Sequence, residues 1–200
     1  MLNKLEFDNE NHIYRLDGVA IPGYSQIAKK MGIANLDNIP EYTLEQARQF
    51  GQAGHYATRL SDEGRLDEDS LSLPLIPCLK SYRDFLRCSN VEIIKEYIEK
   101  PICSFRYRFG TTPDRICLIR GELSVLELKF QETISKATSI QTAFQKIAAN
   151  EFYHIKIKKR YGLQITLNGN CILHSYKDKN DEQVALCFLG AFNWREKNAK

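Results

Sequence analysis

Two hundred residues, 43% apolar and 26% charged, suffice for one domain with its own core and exclude a fibrous or disordered chain. A formal net charge of +3 permits an acidic partner such as nucleic acid without demanding one, so local clustering matters more than the total. No run approaches the ~18 apolar residues of a membrane span, and MLNKLEFDNENHIYRL has no apolar signal core, so no membrane association and a cytoplasmic location are expected.

In chain order, FDNENHIYRLDGVAIPGYSQIAKKMGI reads as a hairpin turning at Asp17-Gly18, then a short helix ending near Gly32. Thr43 followed by Gln46 is a capping-box signal for a helix through EYTLEQARQFGQAGHYATRLSDEG. After a charged, proline-bearing loop, CLKSYRDFLRCS reads as a helix with Leu79, Tyr82, Phe85 and Leu86 on one face. Four strand signals follow: VEIIKEYIE, ICSFRYRFG, RICLI and LSVLELKF. Thr138 or Ser139 is placed to cap a helix whose apolar stripe is Ile140, Phe144, Ile147 and Ala148. HIKIKKRYGLQITL and CILHSYK read as two last strands before a helix from about Asp181 to Trp194. No repeat or linker divides the chain. The pattern predicts a single α/β domain over residues 1–200, with a mixed central sheet flanked by helices.

The six cysteines form no CxxC pair, so no zinc ribbon is suggested and reduced, mostly buried thiols are expected.

The stretch TTPDRICLIRGELSVLELKF carries the chemistry. If Arg120-Gly121 is a two-residue turn, Ile119 faces Glu122 and Asp114 stands opposite Glu127, with Cβ atoms roughly 5 Å apart. Lys129, two residues on, projects from the same face as Glu127, while Leu126, Leu128 and Phe130 point into a core. Two carboxylates directly opposite destabilise a sheet. A cation between them removes the conflict, and oxygen ligands of this kind suit Mg²⁺ or Mn²⁺. Pro113 lacks an amide donor, so the ladder frays there and exposes Asp114. The plainer alternative pairs Asp114 with Arg115 or Arg106, and Glu127 with Lys129, on a solvated edge. Spacing alone leaves both readings open.

These residues resemble the PD-(D/E)XK nuclease signature, with Pro113-Asp114 as its PD and Glu127-Leu128-Lys129 as its ExK. Gly51-Gln-Ala-Gly-His55 resembles the GxxxH helix of RecB-type and phage-type exonucleases in that superfamily, and Gln141 the glutamine of its QxxxY motif. NHIYRLDGVAIPGYSQI is similar to the N-terminus of phage-encoded members, and the end of the chain to their C-terminus. Gln145 stands where the motif has tyrosine, and Phe50 where an arginine is common.

The resemblance implies a restriction-endonuclease-like fold. It implies that Asp114, Glu127, His55 and the Leu128 carbonyl hold one or two Mg²⁺ or Mn²⁺ ions, and that Lys129 orients or deprotonates the attacking water. With no closely spaced C-terminal cysteine group, no iron–sulfur cluster is expected. Gln141, Arg115, Arg108, Lys156 and Lys158 are expected to contact substrate, the last two as a strip along the basic stretch KIKKRY. Glu99 reads as a solvated edge glutamate in preference to a site residue, and His12, His154 and His174 as structural or exposed.

The expected function is metal-dependent hydrolysis of DNA, as an exonuclease of phage or prophage recombination in a bacterial or phage-infected cell. A structure-specific endonuclease and an inactive nucleic-acid-binding member are the alternatives. A homo-oligomer and a recombination-protein partner both stay open.

Overall fold

The computed structural model describes residues 4–33 and 41–199. Its main sheet has five strands in the order β10-β9-β8-β7-β4. The strands are β4 (Val91–Ile93), β7 (Arg115–Ile119), β8 (Glu122–Phe130), β9 (Lys159–Ile165) and β10 (Cys171–Ser175). β8 and β9 are parallel, while the other neighbours are antiparallel. A parallel pair needs a crossover, which α4 (Ala137–Phe152) supplies.

On one face α4 packs on β8 and β9 and against α5 (Asp181–Asn198), which α1 (Tyr24–Lys30) also touches. The other face is covered by α2 (Glu41–Glu63) and α3 (Leu75–Cys88). β8 is therefore central and covered on both sides, and its Val125, Leu126, Glu127 and Leu128 are all buried. A solvated edge for Glu127 is excluded.

The β7–β8 register is the one the turn predicts, with Arg115 opposite Leu126 and Ile119 opposite Glu122. Arg120 (φ +52°) and Gly121 (φ +79°) are both left-handed, the conformation of a type I′ turn, whose twist matches that of the strands it joins. Asp17 (φ +53°) and Gly18 (φ +77°) turn the N-terminal sheet in the same way, between β2 (Ile13–Leu16) and β3 (Val19–Ile21); β1 (Leu5–Asp8) completes it.

Several elements differ from the sequence reading. ICSFRYRFG is two strands, β5 (Ile102–Ser104) and β6 (Phe109–Thr111). Arg108 N donates to the Ser104 carbonyl, while Glu151 accepts from Ser104 Oγ and Arg106 N, so the chain reverses where alternation alone would extend it. After Ile93 the chain makes a 3₁₀ turn at Lys95–Tyr97. Thr43 lies inside α2, and Ser135 Oγ, not Thr138 or Ser139, accepts the Ala137 amide at the start of α4. β9 begins only at Lys159. Cys78, Cys103 and Cys117 are buried, whereas Cys88 and Cys187 are exposed. Among the described residues no helix is long and apolar enough to cross a membrane.

The small N-terminal sheet is fastened to the rest by Tyr14. A Cβ built on Gly110 would lie 2.2 Å from the Tyr14 ring and one on Gly23 would lie 3.0 Å away, so the ring fills the space both glycines leave. Its hydroxyl bonds Thr112 Oγ1 at 2.8 Å, two residues before Asp114.

Candidate active site

Asp114 sits just before the first residue of β7, next to Pro113, which has no amide to extend the ladder. Its Oδ2 accepts the Leu128 amide at 2.7 Å and its Oδ1 lies 3.3 Å from His55 Nδ1. In a strand the N–H and C=O of one residue face the same neighbour. The Leu128 carbonyl therefore also faces the Pro113 side, where no amide can donate to it.

His55 reaches Asp114 because α2 lies close on β8. A Cβ on Gly54 would come within 2.6 Å of the Phe130 ring, so this helix position admits only glycine at the observed separation. The His55 ring meets the same Phe130 edge-on, with centroids 5.3 Å apart. Gly51, by contrast, faces open space.

Glu127 is buried and saturated with donors. Oε1 accepts from Lys129 Nζ at 2.8 Å and Gln141 Nε2 at 2.6 Å; Oε2 accepts from Gln145 Nε2 at 2.7 Å. Gln141 Oε1 in turn accepts from Lys129 Nζ at 3.0 Å. α4 thus grips the Glu127 carboxylate with two amides one turn apart, and Gln141 serves Glu127 and Lys129 directly.

Among the described residues His55, Glu99 and Asp114 offer ligand atoms within 4.8 Å of one another. That is close to the roughly 4 Å between opposite ligands of one Mg²⁺. Two carboxylates and one imidazole form a donor set that fits a divalent cation. Glu127 stands beside this trio rather than in it. Glu99, read from sequence as an edge residue, is in the site. It is carried there by a left-handed backbone (φ +48°) and by its N–H, which donates to the Asp114 carbonyl.

The electrostatics reflect crowded carboxylates. Burial alone would raise the Asp114 carboxyl, but His55, Lys129 and the Leu128 amide outweigh it and hold the carboxyl well below its usual range. Glu127 is pushed up by burial and by Asp114. Burial would lower Lys129, yet Glu127 and Asp114 raise it, so the ammonium is retained. His55 follows the same logic, with Asp114 overcoming burial to raise it.

Arg115 is not a phosphate contact. Its side chain is 0% exposed on the opposite sheet face, where Nε donates to Asp62 Oδ2 at 2.6 Å and Nη1 to the Asp114 carbonyl at 2.7 Å. Asp62 also accepts from Tyr82 Oη at 2.7 Å. Arg160 of the basic stretch is likewise buried, against Asp181 at 2.7 Å. Arg108 is exposed in the β5–β6 turn and Lys156 and Lys158 before β9, near the β7–β8 turn, where Lys158 N donates to the Leu123 carbonyl. None of the three lines the cleft that holds His55, Asp114 and Glu127. Arg59 does line it, and its Nη1 donates to Glu99 at 3.3 Å. Sequence gave no signal for Arg59. Gln145 was readable as facing the same way as Gln141, though not as a ligand of Glu127.

No family model and no curated protein matches the chain. Among solved structures, SSO0001 is similar at 15% identity and TM-score 0.37, over 60% of this chain; the match spans 57% of SSO0001. A Eubacterium rectale protein described as a candidate exonuclease is similar at 13% identity and TM-score 0.45, over 92% of this chain and 78% of that one. Likenesses at this level say nothing about chemistry, which rests on the residues above.

Proposed function

We propose that this chain is a divalent-cation-dependent deoxyribonuclease of the PD-(D/E)XK superfamily, acting as an exonuclease in phage or prophage DNA recombination. One observation carries the reading. A single hairpin and one helix bring Asp114, Glu127 and His55 together along one cleft, with Lys129 bonded to Glu127, and this supports the PD…ExK reading.

His55 Nδ1, the carboxylates of Glu99 and Asp114, and the Leu128 carbonyl would hold Mg²⁺ or Mn²⁺. The bound cation supplies a water of lowered pKa and offsets charge building on the phosphate. The protein's own residues do the rest. Gln141 and Gln145 fix the Glu127 carboxylate, and Glu127 with Gln141 fixes Lys129 Nζ. Placed between carboxylates, Lys129 would donate a hydrogen bond and a positive charge to the phosphate or the attacking water. Burial of this wall makes each of those charges worth more than in water.

The test is digestion of end-labelled linear DNA and covalently closed circles with Mg²⁺ or Mn²⁺, and with EDTA. Ladders from one end that disappear in EDTA are expected. Nicked circles would convert the reading to a structure-specific endonuclease. Binding without cleavage in any divalent cation would overturn it in favour of an inactive nucleic-acid-binding member.

A further inference from the structure

We infer that the tip of the N-terminal hairpin and one face of α2 form a base-binding subsite, which grips the unpaired end of a DNA strand beside the candidate metal cluster. The placement next to a scissile phosphate rests on the nuclease reading; the subsite itself rests on other residues.

The cleft encloses about 560 Å³. That lies in the range of sites for single small molecules, roughly 300–1,000 Å³, and suits one or two nucleotides rather than a duplex. His55, Glu99, Asp114 and Glu127 contribute its acidic part. Its walls are of a different character. On one side stand Phe7 and His12 of the hairpin; on the other stand Gln52, Tyr56 and Arg59, which share a face of α2 with His55 at the i, i+3, i+4, i+7 spacing.

The hairpin tip is built to hold its rings still. Phe7 and Tyr14 are cross-strand partners with centroids 4.6 Å apart, and His12 meets Phe7 edge-on at 5.1 Å. Asp8 Oδ1 accepts the amides of Glu10 and Asn11, and Asp8 Oδ2 the Asn11 side chain, fixing the turn that delivers His12 at φ +53°. Tyr14, buried between Gly23 and Gly110, fixes the whole tip relative to Asp114. Yet His12 itself is exposed, and Tyr56 opposite is 56% exposed with the Arg59 guanidinium 5.1 Å from its ring centroid. Exposed rings on rigid mounts, beside a guanidinium, match what an unpaired nucleotide offers: a π-face for stacking and a phosphate for the cation. Inside a duplex both faces of each base are already stacked and only the terminal pair has one free, so such rings favour unpaired strand.

The experiment measures fluorescence anisotropy of the full chain with three labelled probes in Ca²⁺: a 15-nucleotide oligodeoxythymidylate, an abasic strand of the same length, and a blunt duplex. The thymidylate strand is expected to bind at least about fivefold more tightly than the abasic strand, since stacking on one ring changes affinity about 5- to 150-fold. Tyr56→Ala and His12→Asn (asparagine tolerates the left-handed backbone) should each lose that advantage, and Tyr56→Phe should restore it. Trp194→Ala, at a still more exposed aromatic on α5 outside the cleft, is the control and should bind as the parent does. Thermal melts of each variant separate lost stacking from lost fold. Equal binding of thymidylate and abasic strands, or parent-like binding by folded Tyr56→Ala and His12→Asn, would overturn the subsite. The same samples assayed for cleavage in Mn²⁺ keep the two readings apart. Stacking-dependent binding without cleavage removes the nuclease and leaves the subsite; cleavage with stacking-independent binding does the reverse.

Discussion

Asp114 and Arg115 are adjacent in sequence and lie on opposite faces of the same sheet, and both faces carry buried charge. Around Arg115 the charged groups close on one another: its guanidinium meets Asp62, Glu99, Thr58 and the Asp114 carbonyl, and Tyr82 completes Asp62. Around Asp114 they open onto a cleft. Asp114 and Glu127 meet one lysine and a histidine, and Glu99 stands beside them, shared with Arg59 and Arg115. Glu99 joins the two regions, touching Arg115 and Arg59 while standing in the trio with His55 and Asp114. The Arg115 cluster ties α2 and α3 to the sheet, whereas the Asp114 trio offers a donor set that fits a divalent cation.

That comparison breaks if variants on the two faces fail in the same way. Asp114→Asn should lower cleavage by at least ~10³-fold and abolish Mn²⁺ binding by titration calorimetry. Its folding stability should change by less than ~1 kcal/mol, because an amide oxygen still accepts the Leu128 N–H. Lys129→Ala should cost ~10²–10⁴-fold in single-turnover cleavage with Mn²⁺ affinity nearly intact, since lysine offers no ligand atom. Arg115→Met should do the opposite to stability. Leaving Asp62 buried without its cation should cost about 3–5 kcal/mol in urea denaturation, and pairing the change with Asp62→Leu should recover most of it.

Two smaller effects sharpen the picture. Gln145→Ala strips a donor from buried Glu127 and should cost about 1–3 kcal/mol, measured by the same denaturation. Gly54→Ala should destabilise by about 1–3 kcal/mol through its collision with Phe130, whereas Gly51→Ala, in open space mid-helix, should stabilise by ~0.5–1 kcal/mol. Melting temperatures moving in the same direction would sink the close approach of α2 to β8.

Local rules made part of this molecule legible. Turn chemistry at Arg120-Gly121 and the period of a strand were enough to set the β7–β8 register, and with it the meeting of Asp114, Glu127 and Lys129. The cost of glycine within a helix flags both Gly51 and Gly54 as close approaches, and only Gly54 is one. What local rules missed came from partners distant in sequence. Arg115 looked like a phosphate ligand because nothing near it announces Asp62, 53 residues away. The break in ICSFRYRFG depends on Glu151, and the placement of Glu99 on a left-handed backbone that no residue type there signals. Gln145 occupies the place of an aromatic residue, so its function followed only from the carboxylate it touches.

The lodging of Tyr14 between Gly23 and Gly110 also bears on how the chain folds. Residues 5–21 can form their hairpins early, since their pairings are local. The Tyr14 hydroxyl, however, meets Thr112 across 98 residues. Closing so long a loop is slow relative to forming a hairpin. During synthesis the N-terminal sheet must therefore wait, with one face of its ring uncovered, until β6 arrives. Docking of that sheet therefore cannot precede β6, and the cleft beside Asp114 has its second wall only once the two have met.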